Sequence, residues 1–164
     1  MAFPWRKIYC SAAGISCCRM SFIPSTHYKK IIQALPILCV DVILKNSSGK
    51  YLLIKRKNEP YQGQWWVIGG RVHKGETLQK SALRKVREEI GLNIKTLSPV
   101  GYFEHNHQVN PFGLKEPYHV VSVVFAGVID NHVKIRLDEQ STHWKFSKKL
   151  PKDFRVKKFV IMER

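Results

Sequence analysis

The spacing of apolar and polar positions divides the chain between strand and helix periods. Residues 37–45, ILCVDVILK after Pro36, form a nearly unbroken apolar run interrupted by Asp41. A polar turn at residues 46–49 separates it from YLLIKR at 51–56, and the pair predicts a hairpin. A loop, KNEPYQGQ, leads to WWVI and then to Gly69 and Gly70. In a strand Trp65 and Trp66 point to opposite faces, which sends one of them to the core. Further strands are expected between Ile94 and His105, over His119 to Ile129, and at HWKF (143–146). His132 to Leu137 alternates and predicts one more, followed by a polar turn from Asp138 to Ser141. Helical spacing appears at 25–34, with Ser25 or Thr26 as cap and Tyr28, Ile31 and Ile32 toward the core. A short helix is also expected from Lys152. The clearest helix runs from Thr77 to Ile90, because Leu78, Ala82, Leu83, Val86 and Ile90 make one apolar stripe. Gly91 supplies its stop. This order of elements predicts an α+β fold with a mixed sheet.

The other side of that helix carries candidate chemistry. Lys85, Glu88 and Glu89 fall within about a third of a turn at ~100° per residue, and Arg84 can pair with Glu88 one turn on. Two adjacent carboxylates offer oxygen ligands to a hard ion such as Mg²⁺. Asp41 is costly in a buried strand unless it is hydrogen-bonded or faces a ligand cleft. Arg56 and Arg71 have the guanidinium fork that suits phosphate. His105 and His107 share one side of a strand, but two histidines without a third ligand do not make a zinc site.

Composition narrows the partner. At 164 residues and 44% apolar content the chain fits one domain. It has no apolar run of the ~18–20 residues that span a bilayer, so no membrane association is expected. The formal charge of +16 points to an anionic partner. The bases are dispersed, densest at 145–152 and 155–158, which favours a small nucleotide over nucleic acid. Cys10, Cys17, Cys18 and Cys39 show no zinc spacing, and Cys39 reads as a small buried hydrophobe. The set suits a reducing compartment, hence a cytoplasmic location. Residues 1–19 read as an extension, either disordered or upstream of a start at Met20, and 20–164 as the domain. A homodimer is the alternative to a monomer.

The stretch GGRVHKGETLQKSALRKVREEIGL resembles the Nudix hydrolase signature. Gly70, Glu76, Arg84, Val86, Glu88, Glu89, Gly91 and Leu92 fall on it in register, while Lys85 stands where the family carries Glu. The resemblance implies an α/β/α sandwich and Mg²⁺-dependent hydrolysis, with Mn²⁺ as the alternative ion. It implies architectural and catalytic roles for Glu76, Arg84 and Glu88, and metal ligands at Gly70, Glu88 and Glu89.

A narrower resemblance covers Pro36 through Val72, Asp41, Arg56, Arg71, His105 and the turn Asp138-Glu139-Gln140. These positions look like the GDP-mannose mannosyl hydrolase subgroup, which splits its substrate at the anomeric carbon–oxygen bond. That likeness adds Gln140 to the metal ligands and implies substrate contacts at Asp41, Arg56, Arg71 and His105. Two positions depart from it. Ser141 replaces the subgroup's general-base His, and an unactivated hydroxyl cannot do that work near neutral pH. Lys85 removes the Glu that often serves as base in pyrophosphatases. Glu139, His143, His105 and Glu88 are then the candidate bases. The expected function is hydrolysis of a nucleoside diphosphate linked to another moiety, a nucleotide sugar such as GDP-mannose being the leading choice. The alternative is a non-catalytic nucleotide- or RNA-binding module on the same scaffold.

Overall fold

A computed structural model describes residues 24–108, 110 and 117–159. The expected extension at 1–19 and the start at Met20 lie outside the described residues.

One eight-stranded mixed sheet carries the fold. Its strands are β1 (Ile37–Asn46), β2 (Tyr51–Arg56), β3 (Trp65–Trp66), β4 (Ile68–Arg71), β5 (Ser98–His107), β6 (Tyr118–Ile129), β7 (Ser141–Ser147) and β8 (Lys157–Lys158). They run in the order β3-β2-β1-β6-β5-β8, with β4 added on β1 and β7 on β2. The β1–β6 pair is parallel and the other pairs are antiparallel. Helices α1 (Ser25–Ala34) and α2 (Leu78–Ile90) complete the α+β sandwich.

Strand alternation decides which face each β1 side chain serves. Val40, Val42 and Leu44 pack with Ala82, Val86 and Ile90 of α2. Ile43 joins Trp66, Phe103 and Phe154 in a second cluster. Ile37 and Cys39 join Ile32 of α1 in a third. Burying a side chain of this size stabilises by roughly 1.5–3 kcal/mol. Trp66 is the core tryptophan, and Trp65 instead lies under Lys145, whose Nζ is 4.0 Å from the ring centroid.

Helix α2 starts and stops on its sequence signals. Thr77 Oγ1 accepts from the Lys80 N–H at 3.2 Å. Gly91 takes a φ of 73° and its N–H bonds the Arg87 carbonyl at 3.0 Å. A residue with a Cβ is strained in that left-handed conformation.

Several elements depart from expectation. Residues 132–137 are not a strand. Val133, Ile135 and Leu137 do pack on the core, but their segment crosses the end of α2. There the Arg136 N–H bonds Ile90 O at 3.0 Å and the Asp138 N–H bonds Glu89 O at 3.1 Å. These two donors satisfy helix-end carbonyls that lack an intrahelical partner, and the segment is spent on capping α2 instead of joining a sheet ladder. The segment from Lys152 is a turn leading to β8, with Phe154 buried, and no helix forms among its described residues. Helix α1 has Pro24 at its cap, so the expected Ser25 or Thr26 cap falls inside the helix. Ile31 is 39% exposed while Ile32 is buried, because the stripe of this short helix is narrow.

Candidate active site

The loop after β4 is tied to α2 by Arg84. Its Nε and Nη2 donate to Glu76 Oε1 and Oε2 at 2.7 and 2.9 Å. Nη1 donates to Glu88 Oε2 at 3.0 Å, and Nη2 also reaches the Arg71 carbonyl at 3.0 Å. Glu76 Oε2 closes the loop by accepting the His73 N–H at 3.1 Å. A planar fork meeting two carboxylates and a carbonyl locks loop and helix as one unit. Burial works against the charge on Glu76, yet Arg84 and the His73 N–H outweigh it and lower its pKa.

Lys85 changes the acidic edge. Its ammonium lies 2.8 Å from Glu89 Oε1 and 3.5 Å from Glu88 Oε2. Gly70 makes room for the stem, since a Cβ there would sit 2.7 Å from Lys85 Cε and 3.2 Å from Nζ. Lys85 and Glu89 are both buried. Burial opposes the ammonium, but Glu89 by charge and hydrogen bond, with Glu88, raises its pKa. Burial also pushes the Glu89 carboxyl up, and Lys85 pulls it back. With two carboxylates facing it, the lysine is held charged.

Glu88 Oε1 differs from its neighbours. It is buried and has no hydrogen-bond partner. An orphaned carboxylate oxygen is costly unless a cation or water serves it. In kind, then, Gly70, Glu88 and Glu89 suit a hard divalent ion, which prefers oxygen donors. In number the set is short. Among the described residues no three His, Cys, Asp or Glu side chains gather closely enough to hold a metal ion. Lys85 occupies one oxygen of each acid, Glu89 Oε1 and Glu88 Oε2, and leaves Glu88 Oε1 without a partner.

The other expected site residues separate into groups. Glu139 and Gln140 are exposed, and the Gln140 backbone carbonyl accepts the Lys57 N–H at 2.8 Å. His143 is also exposed. Asp138, which sequence reasoning passed over in favour of its two neighbours, turns toward the helix. Burial raises its pKa, the Gln140 N–H lowers it, and Lys85 and Glu88 act on it by charge. The acidic turn signalled such a residue without showing which member points inward.

Asp41 lies on the β1 side that faces away from the α2 stripe. It is 8% exposed and pairs directly with Gly69 on β4. A Cβ on Gly69 would collide with Asp41 Oδ1 and sit 2.7 Å from the Val40 carbonyl. Burial lifts the Asp41 carboxyl to about 6 against the pull of Ser122 and Arg56. The Ser122 hydroxyl lies beside it without a well-formed hydrogen bond, so its influence is that of a nearby dipole. Arg71 sits over the Tyr28 ring, 4.6 Å from the centroid, on the α1 side of the sheet.

A cleft of about 280 Å³ opens beyond Arg56, lined by Pro60, Tyr61, Gln64, His105, His107 and Gln108. Arg56 Nε donates to Pro60 O at 2.7 Å. Tyr61 stacks on Trp66 at 4.1 Å between centroids, and its hydroxyl lies 3.2 Å from His105 Nε2. Tyr61 adopts φ 66°, a left-handed conformation that costs a non-glycine residue about 1–3 kcal/mol. Loop sequence gave no sign of this residue. His105 and His107 share a side, as alternation implies, with centroids 4.2 Å apart. Burial, His105 and Arg56 lower His107 to about 4, so it is neutral near pH 7. Asp41, Arg56 and His105 thus gather around Tyr61, and Arg71 stands apart from them.

The NUDIX domain family matches residues 35–154. Low-salt glycan biosynthesis protein Agl8 of Haloferax volcanii is 31% identical over 75% of this chain and 78% of its own length. ADP-ribose pyrophosphatase of Methanocaldococcus jannaschii is 36% identical over 71% of this chain and 66% of its own. The solved MutT Nudix hydrolase of Burkholderia pseudomallei has the same fold, with a TM-score of 0.62 at 22% identity, over 73% of this chain and 93% of that one. Family match, relatives and fold agree with the strand–loop–helix built around Glu76, Arg84, Glu88 and Glu89: the chain belongs to the NUDIX domain family and is a Nudix hydrolase.

Proposed function

We propose that this chain hydrolyses a nucleoside diphosphate linked to another moiety, with a nucleotide sugar such as GDP-mannose as the leading substrate. The observation that carries the reading is Glu88, fixed by Arg84 through Oε2 and presenting the buried, unpartnered oxygen Oε1, on the helix edge it shares with Glu89. The Gly70 carbonyl, Glu88 and Glu89 would hold Mg²⁺ or Mn²⁺, with Asp138 a better-placed neighbour than Gln140. When bound, such an ion neutralises phosphate charge, orients the diphosphate and makes a coordinated water more acidic.

The chain's own residues supply the rest. Arg84 and Glu76 hold the loop rigid, so the reacting groups keep their geometry. Arg56, between Asp41 and the Tyr61 cleft, offers its fork to a phosphate. The cleft with Tyr61, His105 and His107 takes the sugar or base, since aromatic faces and ring nitrogens suit either. Of the candidate bases, Glu88 is half-buried on the carboxylate edge with Oε1 fully covered, and His105 is half-buried in the Tyr61 cleft, whereas Glu139 and His143 face solvent. Two relatives support the substrate class by their names, one a glycan biosynthesis protein and one an ADP-ribose pyrophosphatase. ADP-ribose is itself a nucleoside diphosphate carrying a sugar.

The test is a panel of nucleotide sugars, ADP-ribose and nucleoside triphosphates, with Mg²⁺ in ¹⁸O-labelled water. Release of nucleotide from a sugar-linked diphosphate is expected. Label in phosphate marks cleavage at phosphorus, and release of a nucleoside diphosphate with no label in phosphate marks cleavage at carbon. Turnover of triphosphates alone would refute the substrate class. No turnover of any member would favour the non-catalytic module.

A further inference from the structure

We propose that the Lys85 ammonium is a resident cation at the divalent-ion position, so that a metal ion enters only as Lys85 withdraws from Glu89. This rests on the reading of Gly70, Glu88 and Glu89 as the metal site.

Three observations place the ammonium there. Its Nζ contacts Glu89 Oε1 at 2.8 Å and Glu88 Oε2 at 3.5 Å, the two acids of the expected ligand set. Its stem fills the space left by the missing Gly70 side chain, with Cε 2.7 Å from where a Cβ would stand. Its side chain is 10% exposed and that of Glu89 is 7%, so the contact is a built one and not a surface encounter. The surrounding charges are Arg84 on Glu88, Asp138 at the end of α2, and the more distant Arg56.

A divalent ion and this ammonium cannot share those oxygens. Each draws on the same two carboxylates, and two cations at such separation repel. Lysine, unlike arginine, has one compact charged head on a flexible stem, so it can leave without breaking the Arg84–Glu76 lock. Two properties follow. Without metal the carboxylate pair is neutralised from within, so the fold does not depend on an ion. With metal, part of the binding energy is spent on moving Lys85, so affinity in the free enzyme is low.

The test uses the full chain, with free aqueous Mn²⁺ followed by its paramagnetic resonance and thermal unfolding followed with and without Mn²⁺. Lys85→Met should bind Mn²⁺ about ten-fold or more tightly than wild type, because a dication and an ammonium at ~4 Å repel measurably even in water. In EDTA its unfolding midpoint should fall, and Mn²⁺ should restore it, while the wild-type midpoint moves little. Lys85→Glu should show the same gain, which covers the case in which the methionine variant folds only with metal. The double variant Lys85→Met, Glu88→Gln should lose the gain and so place it at this site. Equal, tight Mn²⁺ binding by wild type and both single variants overturns the proposal and leaves the metal-site reading standing. Binding by none of them overturns both.

Discussion

Replacing Asp41 by Asn should stabilise the protein more and more as pH rises. Asp41 is buried within β1, and burial lifts its carboxyl from 3.8 to about 6. The folded state therefore holds the proton more tightly than the unfolded chain does. Below about pH 4 both states are protonated and the group costs nothing. As pH rises from about 4 through about 6 the unfolded chain ionises first, and stability is lost. Above about 6 the cost is fully present, and a gap of about two pH units corresponds to about 3 kcal/mol at ~1.36 kcal/mol per unit. Asparagine has nearly the same volume, keeps a polar oxygen beside the Ser122 dipole, and cannot ionise. Urea unfolding of wild type and Asp41→Asn in EDTA, at intervals from pH 4 to 8, reads the effect. The variant's advantage should grow by up to about 3 kcal/mol across that range and then level off. The same variant should lose turnover if Asp41 contacts substrate, since stability and activity then move in opposite directions. A difference that does not depend on pH, or that shrinks as pH rises, would refute the reasoning about this carboxyl.

Gly69→Ala should cost about 1–3 kcal/mol in chemical denaturation, because the new methyl meets Asp41 and the Val40 carbonyl and a packed β1–β4 pair cannot give way. Arg84→Lys should lower the unfolding free energy by about 2–3 kcal/mol and turnover by at least ~ten-fold, since one ammonium cannot replace a fork that serves Glu76 and Glu88 together. Wild-type stability in that variant would show that the lock is not structural. Tyr61→Phe keeps the stack on Trp66 and loses the hydroxyl's contact with His105. Steady-state kinetics should show KM raised about three- to ten-fold with kcat little changed, from the loss of one hydrogen bond worth ~1 kcal/mol.

Local signals made the centre of the molecule legible. Helix α2 follows from the spacing of Leu78, Ala82, Val86 and Ile90 and from Gly91, because period and left-handed stop act within a few residues. Arg84 and Glu88 could be paired for the same reason, being one turn apart. The reach of Arg84 to Glu76 and to the Arg71 carbonyl needed the loop's path. Residues 132–137 alternate as a strand does, yet the Arg136 N–H, with that of Asp138 just beyond, goes to carbonyls of a helix more than forty positions earlier. Periodicity reports which side is buried and not what buries it. Lys85 read as the cation of an acidic edge, but only the folded structure, with Gly70 leaving room for its stem, shows its head reaching both carboxylates. In the turn from Asp138 to Gln140, the likeness to a known subgroup favoured Glu139 and Gln140. The backbone instead turns Asp138 inward, to end α2. Tyr61 was invisible because its importance comes from stacking on Trp66 and meeting His105, contacts set by tertiary structure.

The most direct test of the account is the turnover of Glu88→Gln with Mg²⁺ on whichever sugar-linked diphosphate the wild type hydrolyses best. This variant keeps the Lys85–Glu89 pair and nearly the same shape, so folding should persist, as circular dichroism and the unfolding midpoint would verify. The account predicts a fall in kcat of at least ~10²-fold, because the buried, unpartnered oxygen is lost from the reacting edge. Wild-type turnover in a folded Glu88→Gln variant would contradict it and move the chemistry away from α2.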